Sequence, residues 1–194
     1  GSENNTPAGE NISRTLAGHE KAARVDIREE TDSADCLRGD LPGQGLMGEV
    51  YFDSGVLVKL YVQEPGSEKV IELAGREEQI PFTQLHDLEI RNAVRAQFGR
   101  ELISHVEHDL AIAALDEDLR ANRLKTVKLD WQPVYSKAEQ LSSSYTADIL
   151  CRTLDILHVA AAVSISCTRF ITGDKRQAAF AEKAGLSIVE LPSV

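Results

Sequence analysis

The sequence predicts an α/β protein with a mostly parallel central sheet of about five strands, and three observations carry that prediction. Short apolar runs of strand character recur five times between residues 49 and 190. Segments of helical periodicity separate them. Capping residues and glycines mark the junctions. Strands joined through helices run parallel, and the helices then cover both faces of the sheet.

The elements follow in order. Residues 49–52 form the first strand. The apolar run 56–62 reads as helix, broken by Glu64-Pro65-Gly66. Ser67 is the expected N-cap of the next helix, with Val70, Ile71 and Leu73 facing inward. Residues 79–82 are the second strand. Thr83 caps a helix to about Phe98 that Gly99 closes, with an inward stripe of Leu85, Leu88, Asn92, Ala93 and Ala96. Leu102, Val106, Leu110 and Ala113 give a long helix to about Asn122. Residues 126–129 alternate polar and apolar, as a strand does. A helix follows Pro133, and Thr146 is expected to cap a very apolar helix ending near Ser166. Residues 169–172 are a strand, 177–184 a helix stopped by Gly185, and 186–190 the last strand.

Composition bounds the function. The chain has 194 residues, 42% apolar and 27% charged, the balance of a globular protein. No apolar run approaches the roughly 20 residues that span a bilayer. The richest, 154–165, is too short and contains Asp155 and His158. The three cysteines lack metal-site spacing and are odd in number, which argues against a disulfide framework and for a reducing cytoplasm. A net charge of −10 argues against strong non-specific phosphate binding by the bare chain. A nucleic-acid enzyme of this charge needs divalent metal, local basic patches, or both.

The organisation changes near Met47, the one methionine. Residues 1–46 have five basic and nine acidic residues and no sustained apolar period. They read as a disordered leader, as expression-vector sequence (Gly1-Ser2 resembles a tag scar), or as an antitoxin-like segment carrying Arg24, Arg28 and Arg38. Residues 47–194 form the folded domain, and Met47 is a candidate natural start.

Ligands in parallel α/β folds sit at the carboxyl ends of strands. Asp53 directly follows the first strand, and Asp174 follows the strand 169–172 after one glycine. Each also fits a turn or N-cap. Glu89 borders the inward face of its helix, four residues from Leu85 and from Ala93. A buried carboxylate there needs a partner, and Arg95 or exposure at the rim is the alternative to a functional role. Asp155 lies in a helix apolar nearly all round, so its carboxylate faces a cavity, a metal or a basic partner such as His158. Clustered carboxylates favour the hard cations Mg²⁺ or Mn²⁺, and the lack of histidine or cysteine at these positions argues against zinc. Such ions hold phosphate oxygens and activate water.

Four segments carrying these acids resemble PIN domains, particularly the VapC-like toxins of bacterial toxin–antitoxin pairs. They are Val50-Tyr-Phe-Asp-Ser-Gly-Val-Leu-Val-Lys-Leu-Tyr-Val-Gln-Glu-Pro-Gly, the helix from Thr83 bearing Glu89, Arg152-Thr-Leu-Asp-Ile-Leu-His-Val-Ala-Ala-Ala, and Phe170-Ile-Thr-Gly-Asp-Lys-Arg. The resemblance spans 47–194. It implies a three-layer α/β/α PIN-like fold and an Mg²⁺- or Mn²⁺-dependent endoribonuclease that hydrolyses RNA, forms a homodimer and has a cognate antitoxin. By position it makes Asp53, Glu89 and Asp155 the core metal ligands, with Asp174 on a second metal or orienting water. Thr172 and Ser54 would support the carboxylates or the substrate, a cap or turn role being equally open. Lys175 and Arg176 are the foremost candidates for RNA contact, and His158 reads as a packed histidine rather than a general base. A PIN-like DNA or flap nuclease, and a non-catalytic PIN-fold binding module, are the alternatives.

Overall fold

The structure is a computed structural model and describes residues 49–191. The expectations for residues 1–46 and for Met47 lie outside the described residues. In chain order the elements are β1 (Val50–Phe52), α1 (Ser54–Leu57) with a 3-10 turn at Val58–Leu60, α2 (Ser67–Ala74), β2 (Ile80–Phe82), α3 (Gln84–Gly99) and α4 (His105–Arg120). There follow β3 (Leu124–Thr126), α5 (Trp131–Ile149), α6 (Thr153–Ser164), β4 (Arg169–Thr172), α7 (Lys175–Lys183) and β5 (Ser187–Glu190).

The described strands are all parallel, as predicted, but they form two ladders: β1-β4-β5 and β2-β3. β2 lies beside β1 without a ladder between them. β4 is central to its ladder, pairing Phe170 with Tyr51 on one side and with Ile188 on the other. Successive strand residues face opposite sides. Tyr51 and Phe170 therefore enter one core with Phe180 and the helices α5, α6 and α7. Val50, Phe52 and Ile171 enter the other, against residues of α1 to α4. Two cores on two faces of the strands give the three-layer α/β/α arrangement.

Several boundaries differ from the sequence reading, each for a local reason. Gly66, at φ 89°, is the N-cap of α2. Ser67 is its first helical residue, and its hydroxyl accepts from the Glu64 N–H at 3.0 Å. Gly99 lies inside α3, and the chain turns instead at Glu101, φ 59°. The helix is also rotated from the predicted stripe. Leu85, His86, Ile90 and Val94 are buried, and Leu88 is 67% exposed. Burying Ile90 and Val94 one turn apart outweighs burying Leu88, whose spacing serves a different face.

α4 starts later than expected because Ser104 and Glu107 make a reciprocal capping box, the Glu107 N–H to the serine hydroxyl and the Ser104 N–H to the carboxylate at 2.7 Å. β3 begins at Leu124 rather than Thr126, in register with Ile80. Thr146 caps nothing. α5 runs through it to Ile149, ends at a left-handed Leu150 (φ 58°), and α6 starts after Arg152. α7 starts at Lys175 because Asp174 caps it. Among the described residues no helix is long and apolar enough to cross a membrane.

Candidate active site

Two of the four acids terminate strands and start helices. Asp53 ends β1, and its N–H donates to the Ile171 carbonyl at 2.8 Å, extending the β1–β4 ladder by one bond. Its carboxylate accepts the Gly55 N–H at 3.1 Å and caps α1. A Cβ on Gly55 would come within 3.2 Å of that carboxylate, so the glycine leaves it room. Asp174 caps α7, accepting from the N–H groups of Arg176 (2.7 Å) and Gln177 (3.2 Å). The capping alternative thus holds for both residues, and it fixes both carboxylates at the ends of adjacent parallel strands.

Asp155 enters from the first turn of α6 and is half-buried. Burial pushes its carboxyl above the usual range, and the charges of Asp53 and Asp174 push it further, against a weaker pull from the Arg152 backbone and side chain. Its partner is therefore not His158 but a field shared with two other carboxylates. The structure brings Asp53, Asp155 and Asp174 together from residues 121 positions apart at the extremes.

Glu89 arrives by a separate route, through two buried histidines. His86 is fully buried on α3. The Thr83 N–H donates to its Nδ1 at 3.0 Å, so its proton lies on Nε2 and goes to the Phe52 carbonyl at 2.9 Å. Burial holds this imidazole well below its ordinary pKa, and neighbouring His158 adds to that, so it is neutral. Since His86 ties α3 to the last carbonyl of β1, Glu89, three residues on and on the same helix face, lands beside the strand end.

There its carboxylate meets His158 Nε2 in a hydrogen bond. Burial raises the Glu89 pKa, but hydrogen bonds from His158 and Ser54 outweigh it and hold the carboxyl below the usual range. Ser54, itself buried, also lies 3.2 Å from His158 Nε2. On the far side of the ring, the Tyr51 hydroxyl meets Nδ1 at 2.8 Å. The two ring nitrogens of His158 are thus held from opposite sides, by the Tyr51 hydroxyl and by Glu89. The Tyr51 hydroxyl is pushed well above its ordinary pKa, chiefly by burial, and it also feels the charges of Asp53 and Glu89.

Tyr51→Phe tests this arrangement. It strips a buried ring nitrogen of its hydrogen-bond partner, and the expected loss is about 1–3 kcal/mol in urea unfolding. A loss below about 0.5 kcal/mol, ordinary for a neutral surface change, would mean the Tyr51–His158 bond orients nothing.

A PIN domain profile matches residues 50–183. The chain belongs to the PIN domain family. The family suggested by four acidic motifs is the family found, and PIN domains are generally nucleases that use divalent metal ions. Among solved structures, the PIN domain here is similar to a chain in the crystal structure of FitAcB from Neisseria gonorrhoeae. The TM-score is 0.52 at 17% identity, over 75% of this chain and 99% of that one, a likeness of fold. No curated protein matches the sequence.

The PIN site's donors suit a hard divalent cation in chemistry, being carboxylate oxygens with mutual repulsion for a cation to relieve. Among the described residues, however, no three His, Cys, Asp or Glu side chains are arranged to hold one ion together. Glu89 is engaged by His158, and Asp53 by Gln177, whose Nε2 donates to Asp53 Oδ1 at 3.0 Å.

The other expected residues fall into place around these acids. Thr172 is buried, accepts the Asp174 N–H at 3.0 Å and bonds Gln177. Lys175 and Arg176 are exposed at the start of α7, and the Arg176 charge reaches Cys151 along with those of Asp155 and Asp174. Arg91 is committed to Asp87 and Asp116, and Arg123 to Asp118.

Sequence reasoning missed Tyr51, His86 and Gln177. The signals were present for two of them. His86 stands at the capping-box position after Thr83, and Gln177 stands three residues after the capping Asp174.

Proposed function

We propose that this PIN domain, residues 47–194, is an Mg²⁺- or Mn²⁺-dependent endoribonuclease and the toxin of a toxin–antitoxin pair. The observation that carries the proposal is the convergence of Asp53 and Asp174, at the ends of adjacent strands, with Asp155, whose carboxyl is raised by burial and then by those two charges. Carboxylates that repel one another when ionised gain from a divalent cation between them. Asp53, Glu89, Asp155 and Asp174 would supply its carboxylate ligands, and their side chains would have to close on it from where they stand. When bound, the ion supplies polarisation of a phosphodiester and an activated water.

The chain's own residues do the rest. Ser54 and His158 hold Glu89 ionised, and Thr172 braces the turn before Asp174. Lys175, Arg176 and the exposed Arg152 offer phosphate contacts beside the acids. They supply locally the positive charge that a chain of net charge −10 lacks as a whole. Leu88 and Leu154, exposed next to Glu89 and Asp155, offer an apolar foothold for a cognate antitoxin. A homodimer in the cytoplasm completes the reading.

The test is cleavage of single-stranded RNA by the purified protein with Mn²⁺ or Mg²⁺. Cleavage is expected to disappear in EDTA and return with added metal. Equal cleavage in EDTA would sink the metal-site reading, and preferential cleavage of flap or single-stranded DNA would replace RNA as the substrate.

A further inference from the structure

We propose that Gln177 is a positioning residue that sets the Asp53 carboxylate and couples it to Asp174. Gln177 is wholly buried on α7, beside Phe180 and Ala181. A buried amide is costly unless both ends are satisfied. Here both are, and in one direction only. Thr172 Oγ1 accepts the Asp174 N–H and donates its own hydrogen to Gln177 Oε1. At the other end a carboxylate oxygen needs a donor, and Nε2 supplies it to Asp53 Oδ1 at 3.0 Å.

An amide nitrogen can only donate, so Asp53 is held as an acceptor at that oxygen. The Gln177 backbone N–H meanwhile donates to Asp174 Oδ1 at 3.2 Å. One residue therefore touches both strand-end acids, Asp53 with its side chain and Asp174 with its main chain. An apolar side chain would pack as well in this core and keep the main-chain bond to Asp174, but it would leave Asp53 unheld.

This inference rests on the metal-site reading above, and the tests separate the two. In calorimetry with Mn²⁺, Gln177→Met is expected to weaken the dissociation constant about 10–100-fold, the usual cost of losing a group that orients a metal ligand. On RNA, kcat should fall by a similar factor with KM within about twofold of wild type, since the amide is buried away from substrate. Gln177→Asn keeps a polar amide one methylene too short to span Thr172 and Asp53. It is expected to behave like Gln177→Met and serves where the methionine variant does not fold.

A purely structural role would lower the melting temperature and leave the Mn²⁺ constant within about twofold of wild type. That result overturns the proposal. In EDTA, the loss of urea midpoint caused by Gln177→Met should shrink by about half or more when Asp53 is already alanine. Additive losses in that cycle also overturn it. If wild type takes up no Mn²⁺, the metal-site reading fails, and the cycle alone decides whether Gln177 holds Asp53.

Discussion

Asp155→Asn is expected to cut metal-dependent RNA cleavage about a thousandfold while leaving the metal-free fold more stable than wild type. The first half follows from the charge. An amide keeps the shape and removes a negative oxygen donor from the site, and several kcal/mol of transition-state stabilisation corresponds to about three powers of ten. The second half follows from the sign of the pKa shift. Burial and the charges of Asp53 and Asp174 raise the Asp155 carboxyl in the folded state. The folded chain therefore binds that proton more tightly than the unfolded chain. Its ionisation destabilises the fold at every pH above the raised value, and the penalty is relieved as pH falls toward the unfolded carboxyl range.

The melting temperature in EDTA should thus be higher for Asp155→Asn than for wild type at neutral pH, and the gap should close near pH 4, about the unfolded value. Glu89 runs the other way. Its pKa is lowered in the fold, so it contributes stability above its unfolded pKa and loses it as pH falls through the folded value. Undiminished cleavage by Asp155→Asn would remove Asp155 from the site, whatever the stability result.

Phe170→Ala is expected to cost about 3–5 kcal/mol, the range for deleting a fully buried aromatic side chain. Phe170 is 0% exposed on the central strand β4 and stacks on Tyr51, with ring centroids 5.4 Å apart and planes 7° apart. Such a loss takes a large part of the roughly 5–15 kcal/mol that holds a domain folded. Urea unfolding should register it as a midpoint lower by about 2 M. A shift of less than about 0.5 M would mean that neighbours refill the space and that this layer is not close-packed. The variant should also lose activity, because Tyr51, which carries the His158 and Glu89 orientation, rests on that ring.

Where the four candidate acids stand in the fold was legible in the sequence to a useful depth. Asp53 and Asp174 stood out by following strands, and Asp155 by interrupting an apolar helix. The reading of Glu89 was right about its edge position but rested on a helix face that the fold rotates. Leu88, counted inward, is exposed, and His86, not counted, is wholly buried. Periodicity fixes which residues share a face, but competing faces of a helix with low amphipathic contrast are chosen by what packs against it.

The partners were not legible at all. His158 was a candidate partner for Asp155, one turn away. It bonds Glu89 instead, 69 residues away in sequence, and Tyr51, 107 residues away. Gln177 reaches Asp53 over 124 residues.

By itself the sequence determined the α/β class, the five strands and the positions of all four acids. These depend on short-range patterns: alternation, caps, and a charge out of place in an apolar run. The tertiary structure decided how the strands divide into two ladders, which face of α3 is buried, and which side chain holds each acid. Those outcomes depend on bonds between residues far apart in the chain, whose angles and distances exist only once both cores have closed around the strands.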